Sequence, residues 1–322
     1  MKSTKDLSSP ERDRNEFLNL LDQKAADLLF YSPFSFLHKA DSYELYRETF
    51  TDPLKRDIAG EKAEVSVIDI EGRRTFFVWR LMPWDSAYFK RRIIRIDLIV
   101  PDHESTDITG RAVSRFTGEI AGEGDYIFMN IPCEDLRLIQ GLSRTGFRLV
   151  ETRLNYFFTA FDVAVPPPVP VRRAVTNDIP ALRDIAMRMR NRYDRVHADP
   201  AFEPGEADAY LATFIEESVK GFADMVIVPD LPGREPFGFL AANNPEKVLG
   251  YNIAKLVLAA VDARDHKGWL GHLLSGVIDE LRKQETDILT TITQASNRPA
   301  IRTWEKAGFR LGYVTHVYSY TK

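Results

Sequence analysis

Between a long apolar stretch, Asn252 to Val261, and a helical stripe that begins at Leu270 lies the run Asp262-Ala-Arg-Asp-His-Lys-Gly-Trp-Leu-Gly271. A strand that enters a loop with Lys267, Gly268 and Gly271 and then opens a helix offers unpaired backbone N–H groups and the positive end of a helix dipole. That end suits a phosphate or a pyrophosphate. Gly268 lets the backbone approach such a group closely. The run is neither a Walker A nor a G-x-G-x-x-G pattern, and an ordinary strand–helix loop with a basic corner would read the same way. A second polar group is Arg195-Val-His-Ala-Asp199. His197 and Asp199 could hold a sugar hydroxyl or help take the proton of an amine; a loop-capping pair is the other reading. His266 and His272 flank the first loop. With six His and a single Cys, Cys133, no metal is expected.

These groups need elements to hold them. Ile179, Leu182, Ile185, Ala186 and Met189 share one face of a helix over 177–193, with Thr176 or Asn177 as its cap. Tyr210, Leu211, Phe214 and Ile215 mark a second helix ending near Gly221. Strands are expected at 225–228 and 237–242, with Asn243-Asn-Pro-Glu-Lys247 as a turn. The nearly all-apolar 252–261 predicts a central strand buried on both faces. Leu270, Leu273, Leu274, Val277, Ile278 and Leu281 fall on one helical stripe. A strand over 287–294, a helix over 297–306 and a strand over 309–320 close the chain.

An internal repeat sets the architecture. Residues 142–158 read LSRTGFRLVETRLNYFF and residues 304–320 read WEKAGFRLGYVTHVYSY. Gly-Phe-Arg-Leu coincides at 146–149 and 308–311, each time after a helical pattern and before a strand, so two α/β domains of one architecture are expected. Four prolines between Val165 and Pro170 form a stiff linker. The expected division is a helical extension over 1–60, a first domain over 61–165, the linker over 166–170 and a second domain over 171–322.

Thr293-Gln294 at a strand end, the strand–loop–helix around Gly268, and Asn297, Ala300, Trp304, Glu305, Lys306, Gly308 and Phe309 together resemble the C-terminal half of the GCN5-related N-acetyltransferase (GNAT) superfamily. The resemblance covers 171–322. In the first half, Trp84-Asp-Ser-Ala-Tyr-Phe89 and Gly146-Phe-Arg-Leu-Val-Glu-Thr152 look like the degenerate N-terminal domain of the dTDP-fucosamine acetyltransferases. Arg195 to Phe202 and Tyr210-x-x-x-Phe214 look like that group's substrate-side segment. The resemblance implies tandem GNAT-like domains, each a mixed twisted sheet flanked by helices, the N-terminal one degenerate. It implies acetyl-CoA as co-substrate and a small primary amine, on a nucleotide-linked amino sugar in that group, as acceptor, with attack in a ternary complex. A non-catalytic acyl-CoA-binding or assembly protein that keeps the fold is the alternative.

The same resemblance implies site residues. The backbone of Leu258, Ala259, Ala260 and Val261 pairs with pantetheine; Lys267, Gly268, Trp269, Leu270 and Gly271 hold the pyrophosphate; Asn297, Ala300 and Trp304 complete the cofactor side. Arg195, His197 and Asp199 stand on the substrate side. Two departures matter. If Gly268 takes the inner glycine position, Leu270 stands at the final Gly/Ala; if Gly271 takes the last, Trp269 replaces the inner glycine. Trp304 stands where the family has a tyrosine that protonates the leaving thiolate, so no catalytic residue is assigned. The first domain is expected not to bind acetyl-CoA, because Phe116-Thr-Gly-Glu-Ile-Ala-Gly-Glu-Gly124 carries acidic groups in place of Lys267-Gly268.

Composition narrows the rest. Forty-three Lys and Arg against 47 Asp and Glu leave a net charge of −4, so no general patch for nucleic acid is suggested. No run approaches the ~20 apolar residues of a membrane span, and the charged N-terminus lacks an apolar signal segment, so no membrane partner and a cytoplasmic location are expected. Leu18, Leu20, Leu21 and Leu28-Leu29-Phe30 leave two uses open for residues 1–60: packing on the first domain, or covering the surface of a homodimer.

Overall fold

The computed structural model describes residues 10–37, 42–161, 170–262, 264 and 266–322. The elements, in chain order, are α1 (Pro10–Gln23), α2 (Ser42–Tyr46), α3 (Asp52–Ala59), β1 (Glu64–Ile70), β2 (Arg73–Leu81), α4 (Pro83–Phe89), β3 (Ile93–Pro101), α5 (Thr106–Ile120), β4 (Tyr126–Pro132), α6 (Leu136–Leu142) and β5 (Arg148–Phe158). They continue with β6 (Val171–Arg173), α7 (Ile179–Arg188), α8 (Arg195–Ala198), α9 (Pro204–Glu217), β7 (Met225–Pro229), β8 (Gly238–Val248), β9 (Tyr251–Val261), α10 (Trp269–Arg282), β10 (Ile288–Gln294), α11 (Arg298–Lys306) and β11 (Arg310–Thr321). Of the proline run only Pro170 is described; 166–169 lie outside, as does Asp265 in the glycine loop. No described helix is long and apolar enough to cross a membrane.

The chain forms two compact units: Met1–Val150 with Thr315–Lys322, and Glu151–Val314. In the first, β1-β2-β3 are antiparallel neighbours, β3 and β4 run parallel, and the end of β11 adds antiparallel to β4. In the second, β6-β7-β8-β9 are antiparallel neighbours, β9 and β10 run parallel, and the end of β5 adds antiparallel to β10. Strand senses therefore repeat from β1 to β4 and from β7 to β10. Each unit takes its closing strand segment from the other half of the chain. The repeated glycines, Gly146 and Gly308, have φ of 81° and 93°. Gly308 follows the last residues of α11 directly, as a left-handed helix stop.

Side-chain alternation fixes what covers each sheet. In the first unit Phe77, Ile94, Ile96 and Ile127 pack under α5 and α6, while Phe76, Val78, Leu98 and Val100 pack under Phe17, Leu21, Leu54 and Ile58. In the second unit Leu240, Ala254 and Leu289 pack under α10 and α11, and Val226, Phe239 and Ala241 under α7 and α9. The helices of residues 10–59 thus cover the face of their sheet that α7 and α9 cover in the other unit.

Two local expectations are corrected. β8 does not turn at Asn243–Lys247 but runs on to Val248, where Leu249 (φ 50°) and Gly250 (φ 80°) make the hairpin. Pro245 is absorbed by a bulge between Asn243 and Glu246, where its missing N–H breaks no ladder bond. The first helix of the second unit ends at Arg188, not at Tyr193. Arg190 donates to the Met187 carbonyl (3.0 Å), and residues 190–194 leave the helix. The second helix, marked by Tyr210, Leu211, Phe214 and Ile215, runs over Pro204–Glu217.

Candidate functional site

β9 and β10 pair only from Ile253 to Lys255 with Ile288 to Thr290. Beyond that, Leu256–Val261 keep β8 as partner on one edge, and no ladder to β10 continues on the other. Val257 is an extra residue opposite Ala241 and Ala242, and such a bulge bends its strand and increases its twist. The strands part, and a cleft of about 690 Å³ lies between them. Ala259 and Val261 pack with the α10 cluster, whereas Leu258 and Ala260 pack with the α7–α9 cluster. The cleft therefore has walls on both faces of the sheet.

The expected residues divide around this cleft. Leu258, Ala259, Ala260 and Val261 line it; so do Gly268, Leu270, Asn297, Ala300 and Trp304. Gly268 caps α10 with φ 90°, and a Cβ there would meet no atom within 4 Å. The glycine is required by its backbone, and the space above it is open. Asn297 caps α11 by accepting from the Ala300 N–H. Lys267, Trp269 and Gly271 are not in the lining. Trp269 instead packs edge-on to Phe237 with centroids 4.9 Å apart, while His266 stacks on Phe237 at 3.6 Å and takes a place in the cleft wall. Asp262, at the end of β9, is held by Arg264 and Arg188, and their hydrogen bonds keep its carboxyl well below the usual carboxylate range. That ties the loop's start to the end of α7.

Trp304 is 3% exposed, packs against Phe309, and its buried Nε1 has no hydrogen-bond partner among the described residues. It forms a wall. Tyr313, another hydroxyl on β11, does not line the cleft, and burial pushes it up to about 12.

On the substrate side the structure uses the neighbours of the expected residues. Arg195, His197 and Asp199 do not line the cleft; Arg190, Asn191, Arg192, Tyr193 and Asp194 do. Asp199 is 1% exposed and accepts from the Ala201 N–H. Arg195 lies over the Phe202 ring at 5.9 Å. His197 pairs not with Asp199 but with Asp194 through Nδ1 (2.8 Å) and with Asp208 of α9 through Nε2 (3.1 Å). Arg190 holds the same Asp208 at 2.9 Å. Asp194 also caps α8. Donation from both ring nitrogens requires the imidazolium. Burial of the ring works against that charge, but the hydrogen bonds and charges of Asp194 and Asp208 outweigh it, and the pKa is raised above 6.5. His197 therefore buckles the 190–194 lip to α9.

A raised folded-state pKa gives stability that is fully present below the unfolded value of 6.5 and lost as pH rises through the folded value. As pH rises from 6.5 through the raised folded value, the parent should lose stability that a His197→Gln variant does not lose. Paired denaturation series across that range read the difference, and parallel curves for the two proteins would exclude the clamp.

The first unit carries a matching bulge, at Asp97 opposite Val78 and Trp79. There the extra residue is a carboxylate bonded by Arg80 and Arg95, both at 2.6 Å. The acidic run 116–124 does not stand in the loop that precedes the helix, as expected, but at the end of α5. The loop in that position, 102–105, carries Asp102 and Glu104 instead.

No family model matches the sequence, and no curated protein matches it. Solved structures do. A GCN5-related N-acetyltransferase from Sphaerobacter thermophilus is similar over 92% of this chain and 92% of its own, at 12% identity and a TM-score of 0.54. The fold is that of the GNAT acetyltransferases. A GCN5-related glucosamine N-acetyltransferase region of a fungal multi-domain GH3 β-N-acetylglucosaminidase covers 93% of this chain, which spans 37% of that protein, at 12% identity and a TM-score of 0.54. A tandem GNAT protein from the clavulanic acid biosynthesis pathway matches over 92% of this chain and 94% of its own at 13% identity, with a TM-score of 0.45. In this GNAT fold, the parted strands, the glycine-capped α10 and the polar lip all belong to the second unit.

Proposed function

We propose that the second unit moves an acetyl group from acetyl-CoA to a small primary amine. The observation that carries this reading is the β9–β10 pair that stops at Thr290 and leaves the β9 edge from Leu256 to Val261 without a strand partner, beside a helix capped by an open glycine. An extended amide-bearing arm would pair with that edge, and its phosphates would meet the N-terminus of α10. The residues present fit such a ligand: the β9 side chains stay apolar because the backbone does the binding.

Acetyl-CoA supplies an activated acyl carbon. The amine nitrogen bonds to it, the tetrahedral oxyanion accepts from a β9 N–H, and the C–S bond breaks to release the thiolate. The amine gives up one proton to the medium. Holding both partners in line supplies effective molarities of about 10⁵ M or more. Trp304 stands where the family has its tyrosine, but a thiol of pKa ~8.5 leaves tolerably as thiolate. The polar lip, with Asn191, Asp194 and Gln294, suits a hydroxyl-rich acceptor, so amino sugars, free or nucleotide-linked, come first.

Thiol release from acetyl-CoA over a panel of glucosamine, galactosamine, mannosamine and simple alkylamines tests the reading. Release with one of them is expected. Thermal stabilisation by acetyl-CoA without release from any amine would favour a non-catalytic acyl-CoA-binding protein.

A further inference from the structure

Asn191 and Gln294 stand together in the cleft wall, and their amides form a chain with a fixed direction. At one end the Tyr193 backbone N–H donates to Asn191 Oδ1 (3.1 Å). Asn191 Nδ2 donates to Gln294 Oε1 (2.5 Å). Gln294 Nε2 donates to Glu151 Oε1 (2.8 Å), and Arg153 Nη2 donates to Glu151 Oε2 (2.7 Å). Glu151 is only 3% exposed.

A backbone N–H can only donate, and an ionised carboxylate paired with arginine can only accept. The two ends therefore fix both amides independently and in the same sense. We infer that Glu151 is a positioning residue: it turns the Gln294 amide so that its carbonyl oxygen, not its NH2, faces the cleft, where it accepts an N–H of the incoming amine. The inference rests on the acetyl-transfer reading for the identity of that amine. Aligned hydrogen bonds polarise one another. Donation to an anion makes Gln294 Oε1 a stronger acceptor, and the nitrogen it faces gains positive charge as it attacks. The group that supplies this charge comes from β5, in the first half of the chain.

Glu151→Gln preserves shape and forces a choice. Arg153 donates, so the new amide must give it the carbonyl and turn NH2 toward Gln294. Unflipped, the Gln294 NH2 meets that NH2; flipped, it meets Asn191 Nδ2, so in either case the directed chain breaks and Gln294 Oε1 is no longer held toward the cleft. With the panel amine that turns over best, Glu151→Gln should raise the amine KM about tenfold or more, with the acetyl-CoA KM little changed. Glu151→Gln combined with Gln294→Glu restores a carboxylate oxygen toward the cleft and should recover most of the loss. An unchanged amine KM, an equal rise in both KM values, or a double variant as impaired as the single one would overturn the inference. Hydrogen exchange at the 15N-labelled Gln294 amide reads the positioning without turnover: one slow N–H in the parent, fast in Glu151→Gln. Two fast N–H groups in the parent would overturn it as well. Absence of thiol release with slow exchange intact would instead fail the acetyl-transfer reading.

Discussion

Trp304→Ala should destabilise the second unit by about 3–5 kcal/mol and raise the acetyl-CoA KM, whereas Trp304→Phe should cost much less. The indole is 3% exposed between Phe309 and the cleft. Removing it deletes the largest side chain of α11 from the cluster that α10 and β10 share. Part of what tryptophan contributes there is already offset, because its Nε1 has no partner among the described residues; a buried donor without one costs about 1–3 kcal/mol. Phenylalanine keeps most of the packing and discards that donor. Trp304→Tyr keeps the ring and adds a hydroxyl, so turnover should be kept or raised. Chemical denaturation and acetyl-CoA titration separate wall from acid. An alanine variant that folds normally and binds acetyl-CoA unchanged would mean that Trp304 neither supports the core nor bounds the cleft.

How much of this could be read in the sequence depends on how local each interaction is. The stripe from Leu273 to Leu281 is periodic within one helix, and all of Leu273, Leu274, Val277, Ile278 and Leu281 are buried in α10. The Gly-Phe-Arg-Leu repeat lies at two local helix–strand junctions. The exchange of closing strands leaves no such trace, because Thr315–Thr321 could pair with any free edge and only the ladder with β4 settles which. His197 shows the same limit at the site. Its sequence neighbour Asp199 turned to a backbone N–H, while its partner Asp208 came from the next helix. The apolar face that ends at Met189 suggests a helix on to Tyr193, but the structure ends it at Arg188. The polar groups of the lip 190–194 are held instead by contacts with Asp208 and Gln294 that lie far along the chain. Glu151 lies in the first copy of the repeat, yet its partner Gln294 stands 143 residues later.

Gly268→Asp should weaken acetyl-CoA binding by about 1–3 kcal/mol, roughly 5- to 150-fold, relative to Gly268→Asn. The comparison with asparagine isolates the charge. At φ 90° any side chain strains the backbone, and asparagine and aspartate tolerate that region better than most. Crowding is excluded as the cause, since a Cβ at Gly268 would meet nothing within 4 Å. The two variants share strain and size and differ by one negative charge at the N-terminus of α10. A pyrophosphate at that end would be repelled by the carboxylate and not by the amide. S-acetylpantetheine, which lacks the phosphates, should bind both variants alike. Lys267 beside the glycine softens the repulsion without removing it, because a side chain outside the cleft lining can reach the phosphates only from the solvent side. Equal acetyl-CoA affinity for the aspartate and asparagine variants would place the phosphates elsewhere, and with them the ligand that the parted strands were read to hold.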